Sequence, residues 1–346
     1  MREPAAGRDR ERAAAISAMA EQLPSLEELL EEIESTTAAN REHRDLEADR
    51  HLIRLRHLAG IQLLDRAPSD PEFPRPKRGV LPRGSGPVEI GPEELTPELL
   101  RAAILRDGCL LVRGLVERDE ALRLAAHIEE TFEARASLAA GESAPEGYYE
   151  EFEPESGCPR LWERPWIEEG GGVLAVDSPK VLSDILEALE RVGFSSVVSG
   201  YLGERGAISA EKTTLRKADP SVAGAWHQDG KFLGKVRAIN LWLSLSRCGD
   251  EAPGLDIVPR RIDHLVAVGS EGTRMLNQVS DEIAEQAADG VGIVRPIFEP
   301  GDALLFDELF LHKTGSDPAM PKPRYALESW FFGPSAFPEN YSPLAV

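Results

Sequence analysis

The sequence predicts a mainly β protein with flanking helices, and three observations carry that expectation. The C-terminal half is a series of short apolar strands punctuated by Gly, Pro and Asp. The first 65 residues repeat their apolar positions at helical spacing. Hydrophobic residues make up 42% and charged residues 29% of 346 positions, the balance of a folded globular chain of one large domain or two ordinary ones. With 39 basic and 60 acidic residues the formal net charge is −21, which repels phosphate backbones and anionic lipid. No nucleic-acid or membrane partner is therefore expected. No apolar run approaches the ~18 residues that cross a bilayer. The opening MREPAAGRDRERAAAISAMAEQ is charged throughout and does not read as a secretory signal. Three widely spaced cysteines, Cys109, Cys158 and Cys248, argue against a disulfide framework and fit a reducing cytoplasm.

Taken in order, residues 1–65 form a helical N-terminal extension. Leu26, Leu29, Leu30 and Ile33 share a face, and Ser25 with Glu28 reads as a capping box. A second helix runs from Leu46 to Leu64. Residues 66–92 form a proline-rich linker or arm. The extension is either a helical support for the main domain or a dimerisation arm, so a homo-oligomer stays open. Residues 93–346 form the main domain. A helix there stops at Gly108, Cys109–Leu115 follows as a buried strand, and helices cover Arg118–Ala136 and Ser178–Val192. Between them, residues 140–172 scatter Tyr148, Tyr149, Phe152, Trp162 and Trp166 among glutamates and glycines. That stretch is a lid loop or a satellite hydrophobic cluster. Strands are expected at Ala238–Leu245, Leu255–Val258, Gly292–Phe298, Ala303–Phe306 and Tyr325–Phe332, an antiparallel sandwich or barrel.

Of seven histidines, His43, His51 and His57 lie in charged helices, and His127 and His264 lack a carboxylate at metal spacing. His227 differs, because AWHQDG places Asp229 two residues away and on one face of a strand. His312 follows in FDELFLHKTG. Two imidazoles and a carboxylate on adjacent strands make the facial triad that holds Fe(II) with open positions. A lone His-x-Asp is weak evidence, since chance produces it. Arg324, in KPRYALESWFF, is expected to point inward beside His312 and to need an anionic partner, either a dicarboxylate ligand or Glu328 in a structural salt bridge.

Together these residues resemble the phytanoyl-CoA dioxygenase family of Fe(II)/2-oxoglutarate oxygenases. The resemblance spans roughly Arg101 to Pro334 and rests on LRKADPSVAGAWHQDGKFLG, AINLWLSLSRCGDEAPGLDIVP, PGDALLFDELFLHKTG and RYALESWFF. It implies a double-stranded β-helix, a cupin-like jelly roll, acting on a small molecule with Fe(II), 2-oxoglutarate and O₂ and releasing succinate and CO₂. His227, Asp229 and His312 would hold the iron. Arg324 would clamp the distal carboxylate of 2-oxoglutarate with Thr314 beside it. Trp242 would line the co-substrate pocket and Asn240 would donate to the proximal carboxylate. Arg216 or Lys217, with Lys212 a third candidate, would be a basic co-substrate contact. Halogenating relatives replace the carboxylate ligand with a small residue, so Asp229 favours hydroxylation. PRRIDH at 259–264 departs from the family's turn, which leaves the substrate open. Arg160, Arg164, Lys231, Arg260 and Arg261 could meet an acidic substrate, or be solvated surface charge. Two other readings keep the triad: a jelly-roll enzyme that does not use 2-oxoglutarate (a cupin-type dioxygenase or isomerase), and a non-catalytic metal or ligand sensor.

Overall fold

The computed structural model describes residues 14–77, 79, 81, 86–221, 224–269 and 278–346. The first residues of the charged N-terminal stretch and part of the proline-rich run lie outside the described residues. Among the described residues, ten strands and a set of covering helices build a mixed, sheet-rich architecture. The strands are β1 (Val88–Ile90), β2 (Cys109–Val112), β3 (Gly172–Leu174), β4 (Ala207–Ala218), β5 (Ala238–Ser244), β6 (Gly254–Ile257), β7 (Ala303–Phe306), β8 (His312–Gly315), β9 (Arg324–Phe332) and β10 (Pro343–Ala345).

The larger sheet runs β1-β2-β7-β5-β9-β4-β10, with β3 also on β4. The smaller pairs β6 with β8. Single bridges widen it: His227 pairs with His312, Trp226 with Val279, and Ile257 with Val294. The chain therefore crosses repeatedly between sheets, from β4 to the 226–227 strand, back to β5, over to β6, and again through β7, β8 and β9. Register decides which side chains face the smaller sheet. Asn240 stands opposite Trp330 and Phe306, Trp242 opposite Glu328 and Leu304, and Thr214 opposite Glu328.

Both faces of the larger sheet are buried, which is why AINLWLS is buried at every position and apolar except at Asn240 and Ser244. On the outer face Leu241, Leu243, Leu305, Leu327 and Phe331 share a core cluster with residues of α3 (Pro97–Asp107), α4 (Arg118–Ala139), α5 (Arg164–Glu169), α6 (Pro179–Arg191) and α7 (Phe194–Leu202). On the inner face Trp242, Leu304, Phe306, Ala326 and Trp330 share a cluster with Leu255 and Ile257 of the smaller sheet. The N-terminal helices α1 (Leu26–Glu42) and α2 (Leu46–Asp65) join that inner cluster through Leu29, Ile33, Leu52, Leu55 and Ala59. They cover one end of the space between the sheets. The capping box is present: Ser25 Oγ accepts from Glu28 N at 3.3 Å while Glu28 accepts from Ser25 N at 2.8 Å. No described helix is long and apolar enough to cross a membrane.

One expected strand is corrected. Gly292–Phe298 forms no strand among the described residues and keeps only bridges at Val294 and Phe298. The 66–92 stretch packs on the fold at two points. Its end, β1, pairs in parallel with β2, and Phe73 stacks between the guanidinium groups of Arg101 and Arg237, each 4.1 Å from its ring. The longest strand, β4, shows no apolar alternation because its inner positions carry Thr214 and Arg216.

Candidate metal centre

His227 ends its strand and Asp229 begins the turn into the short helix α8 (Gly230–Leu233). The expected strand pairing of the two side chains is thus replaced by a turn. Convergence survives, because the bridge from His227 to His312 brings the second imidazole alongside. Ligand atoms of His227, Asp229 and His312 all lie within 4.8 Å of one another. His312 Nε2 is 3.8 Å from Asp229 Oδ2, and the two imidazole centroids are 4.4 Å apart. Outer partners fix both rings. His227 Nδ1 donates to Ala225 O at 2.8 Å and His312 Nδ1 to Phe310 O at 3.1 Å. A carbonyl can only accept, so each ring carries its proton on Nδ1 and presents the Nε2 lone pair to the centre.

Burial sets the electrostatics of the cluster. Burial pushes the Asp229 carboxyl up to about 6. Burial, with His227 adding to it, pulls His312 down to about 3, so its ring is neutral and ready to ligate. Phe306 and Phe310 wall His312 at centroid distances of 4.7 and 5.9 Å. Gln228, between His227 and Asp229, is buried and donates to His264 O and Leu309 O while accepting from Val266 N. It ties the loops on either side to the centre, a role that the motif spacing did not announce.

The other expected site residues separate by face. Arg324 is 4% exposed and its only described hydrogen bond is Nη1 to Gly254 O at 3.2 Å. Its guanidinium sits 5.3 Å above the Trp242 ring. Glu328 is not its partner, because that carboxylate is held by Arg216 at 3.0 and 3.1 Å. Asn240 is fully buried, and neither its Oδ1 nor its Nδ2 has a partner among the described residues. Arg324 Nε, Thr214 Oγ1, Trp330 Nε1 and Asp229 Oδ2 are equally unpartnered. Thr314 stands two positions from His312 on β8, on the same side of that strand.

Lys217 is removed from the site. It faces the helices, where its ammonium meets Glu129 at 2.7 Å, because alternation on β4 sends it opposite to Arg216. Lys212 does reach the rim, because its ammonium lies 4.8 Å from the Phe232 ring on α8, the helix that follows Asp229. Arg164, Arg260 and Arg261 are engaged by Asp177, Asp289 and Asp307, while Arg160 and Lys231 are exposed. The 140–172 stretch divides its aromatics. Tyr148 is buried and Phe152 packs on the core, whereas Trp162 and Trp166 are 74% and 71% exposed.

No family model matches the chain, and no curated protein matches it. Solved structures do. EctD from S. alaskensis in its apoform is 21% identical with a TM-score of 0.48, over 77% of this chain and 87% of that one. EctD with 2-oxoglutarate and 5-hydroxyectoine is 20% identical with a TM-score of 0.47, over 77% and 86%. The epimerase SnoN, in complex with Fe3+, alpha ketoglutarate and nogalamycin RO, is 19% identical with a TM-score of 0.45, over 68% and 82%. At these similarities the assignment of chemistry rests on the side chains themselves.

Proposed function

We propose that the chain is a non-haem Fe(II)/2-oxoglutarate-dependent oxygenase that hydroxylates an aliphatic C–H bond of a small molecule. The observation that supports it most is Arg324, a buried guanidinium without a described carboxylate partner, facing the same interior as a His-Asp-His cluster. A buried, unpaired cation is costly unless a ligand answers it. The strand order, two sheets crossed repeatedly by one chain, fits a double-stranded β-helix. The donor set fits Fe(II): two neutral imidazoles and one hard carboxylate, held together with their outer hydrogen bonds in place.

In this reading His227, Asp229 and His312 hold the metal. Arg324 receives the distal carboxylate of 2-oxoglutarate, with Thr314 beside it, and Asn240 donates to the carboxylate nearer the metal. Trp242 cushions Arg324, and Phe306, Phe310 and Trp330 keep water from the centre. Arg216 neutralises Glu328, so among the described residues Asp229 is the anion offered directly to the metal. When bound, iron with 2-oxoglutarate and O₂ supplies oxidation of an unactivated C–H bond, releasing succinate and CO₂. A cytoplasmic setting belongs to the same reading, with Cys109 and Cys248 buried as thiols.

Succinate release tests the proposal. Purified protein given Fe(II), 2-oxoglutarate and air is expected to form succinate slowly without its substrate, and His227→Ala to abolish it. Iron binding without 2-oxoglutarate binding would favour a jelly-roll enzyme of another kind. Binding of both without any turnover would favour a sensor.

A further inference from the structure

At the rim of the centre, β4 departs from regular pairing. Its register with β9 shifts between Ile208 and Thr213. The irregular stretch is pinned from within. The buried Glu211 carboxylate accepts from Ser342 N at 2.9 and 3.1 Å and from Ser209 Oγ at 2.8 Å. Bulges next to sites re-aim side chains. Lys212 stands where the regular register resumes, in alternation with Thr214 and Arg216. Its ammonium lies 4.8 Å from the Phe232 ring, on the helix that begins at Asp229, and 5.2 Å from the Tyr341 ring.

What this cation holds is a carboxylate. Lys212 Nζ donates to one oxygen of Glu163 at 2.5 Å, and Tyr341 Oη donates to the other at 3.0 Å. Tyr341 is 6% exposed, so its hydroxyl is a fixed donor rather than a surface group. Two donors of different kinds, each addressing one oxygen between two aromatic faces, form a receptor for a carboxylate group. Glu163 itself belongs to the 140–172 stretch, between the exposed rings of Trp162 and Trp166. The other inward cations stand apart from this pair: Arg216 is held by the Glu328 carboxylate on the neighbouring strand, and Arg324 lies deep beside Gly254.

We propose that Lys212 and Tyr341 form the substrate-recognition subsite, selecting small molecules that carry a carboxylate, and that Glu163 occupies it until such a substrate displaces it. The proposal rests on the oxygenase reading. Entry of an acidic substrate then replaces one carboxylate by another, so no charge is left uncompensated, and it frees the Glu163 stretch to move. A neutral substrate cannot compete with Glu163 for two donors, and an amine is repelled by Lys212.

The test uses the protein loaded with Mn(II) and 2-oxoglutarate under nitrogen. Hexanoate and hexanamide are titrated as probes, and tryptophan fluorescence is followed. The wild type is expected to bind hexanoate at least about tenfold more tightly than hexanamide. Glu163→Gln is expected to tighten hexanoate about fivefold by weakening the internal competitor. Lys212→Met is expected to abolish the preference, and Tyr341→Phe to reduce it by a smaller factor. Equal affinity for the two probes, no binding of either, or hexanoate affinity unchanged in Glu163→Gln would overturn the proposal. Failure of the wild type to bind 2-oxoglutarate at the metal would instead overturn the oxygenase reading, and is seen before either probe is added.

Discussion

The two faces of the larger sheet treat neighbouring residues of one strand in opposite ways. On the helix-covered face Thr213 bonds Ser329 at 3.0 Å, Lys217 meets Glu129 at 2.7 Å and Tyr325 donates to Glu129 at 2.6 Å. One residue along, on the inner face, Thr214, Arg324 and Trp330 each leave a buried polar atom without a partner among the described residues. Apart from Thr37 Oγ1, all such atoms belong to this inner face or to Asp229. A folding core satisfies its buried polar groups, so a face that systematically does not is arranged for something other than folding.

The largest expected effect comes from comparing Arg324 with Lys217. Arg324→Met is expected to weaken 2-oxoglutarate binding about a hundredfold, a loss of about 2.7 kcal/mol. It should also raise the melting temperature of the ligand-free protein, because a buried unpaired cation is removed. Lys217→Met is expected to do the reverse, leaving binding unchanged and lowering stability by about 1 kcal/mol. Calorimetric titration and thermal unfolding of both variants read the two signs.

A finer version of the same contrast uses adjacent threonines. Thr213→Val strands the Ser329 hydroxyl in the core and is expected to cost about 1–2 kcal/mol in denaturant unfolding. Thr214→Val removes a hydroxyl that has no partner and is expected to be neutral or slightly stabilising. Equal losses at the two positions would erase the distinction between the faces.

The smallest expected effect concerns Glu211, whose carboxyl burial pushes up to about 7 from an ordinary 4.5. A carboxyl raised on folding gives stability that is fully present below pH 4.5 and is lost as pH rises through about 7. Glu211→Gln should therefore flatten the pH dependence across that window. Melting scans at pH 5 and pH 8 would show a gap smaller than the wild type's by a few degrees.

What could be read before the structure follows from which interactions are local. The capping box at Ser25 and the helix stop at Gly108 depend on a few consecutive residues, and both are present. The convergence of His227, Asp229 and His312 was legible because metal ligation demands particular residue types at restricted spacing. The inner or outer placement of Arg216 and Lys217 was not, since face depends on a register set across the sheet and on an irregularity near Ser209 held by Glu211. Gly292–Phe298 looked like a strand from composition, but Val294 and Phe298 bridge different segments and cannot share one ladder. Lys212 and Glu163 come from distant segments, so neither residue alone signals the ion pair they form.

The most direct test of the inner face as a ligand site is an anaerobic titration with Fe(II) and then 2-oxoglutarate, following the visible charge-transfer band. A band that needs both additions in the wild type, and that Arg324→Met shifts to much higher 2-oxoglutarate concentration without loss of iron binding, is the predicted result. A wild type that binds iron with no band, or an Arg324→Met variant that titrates like the wild type, would contradict it.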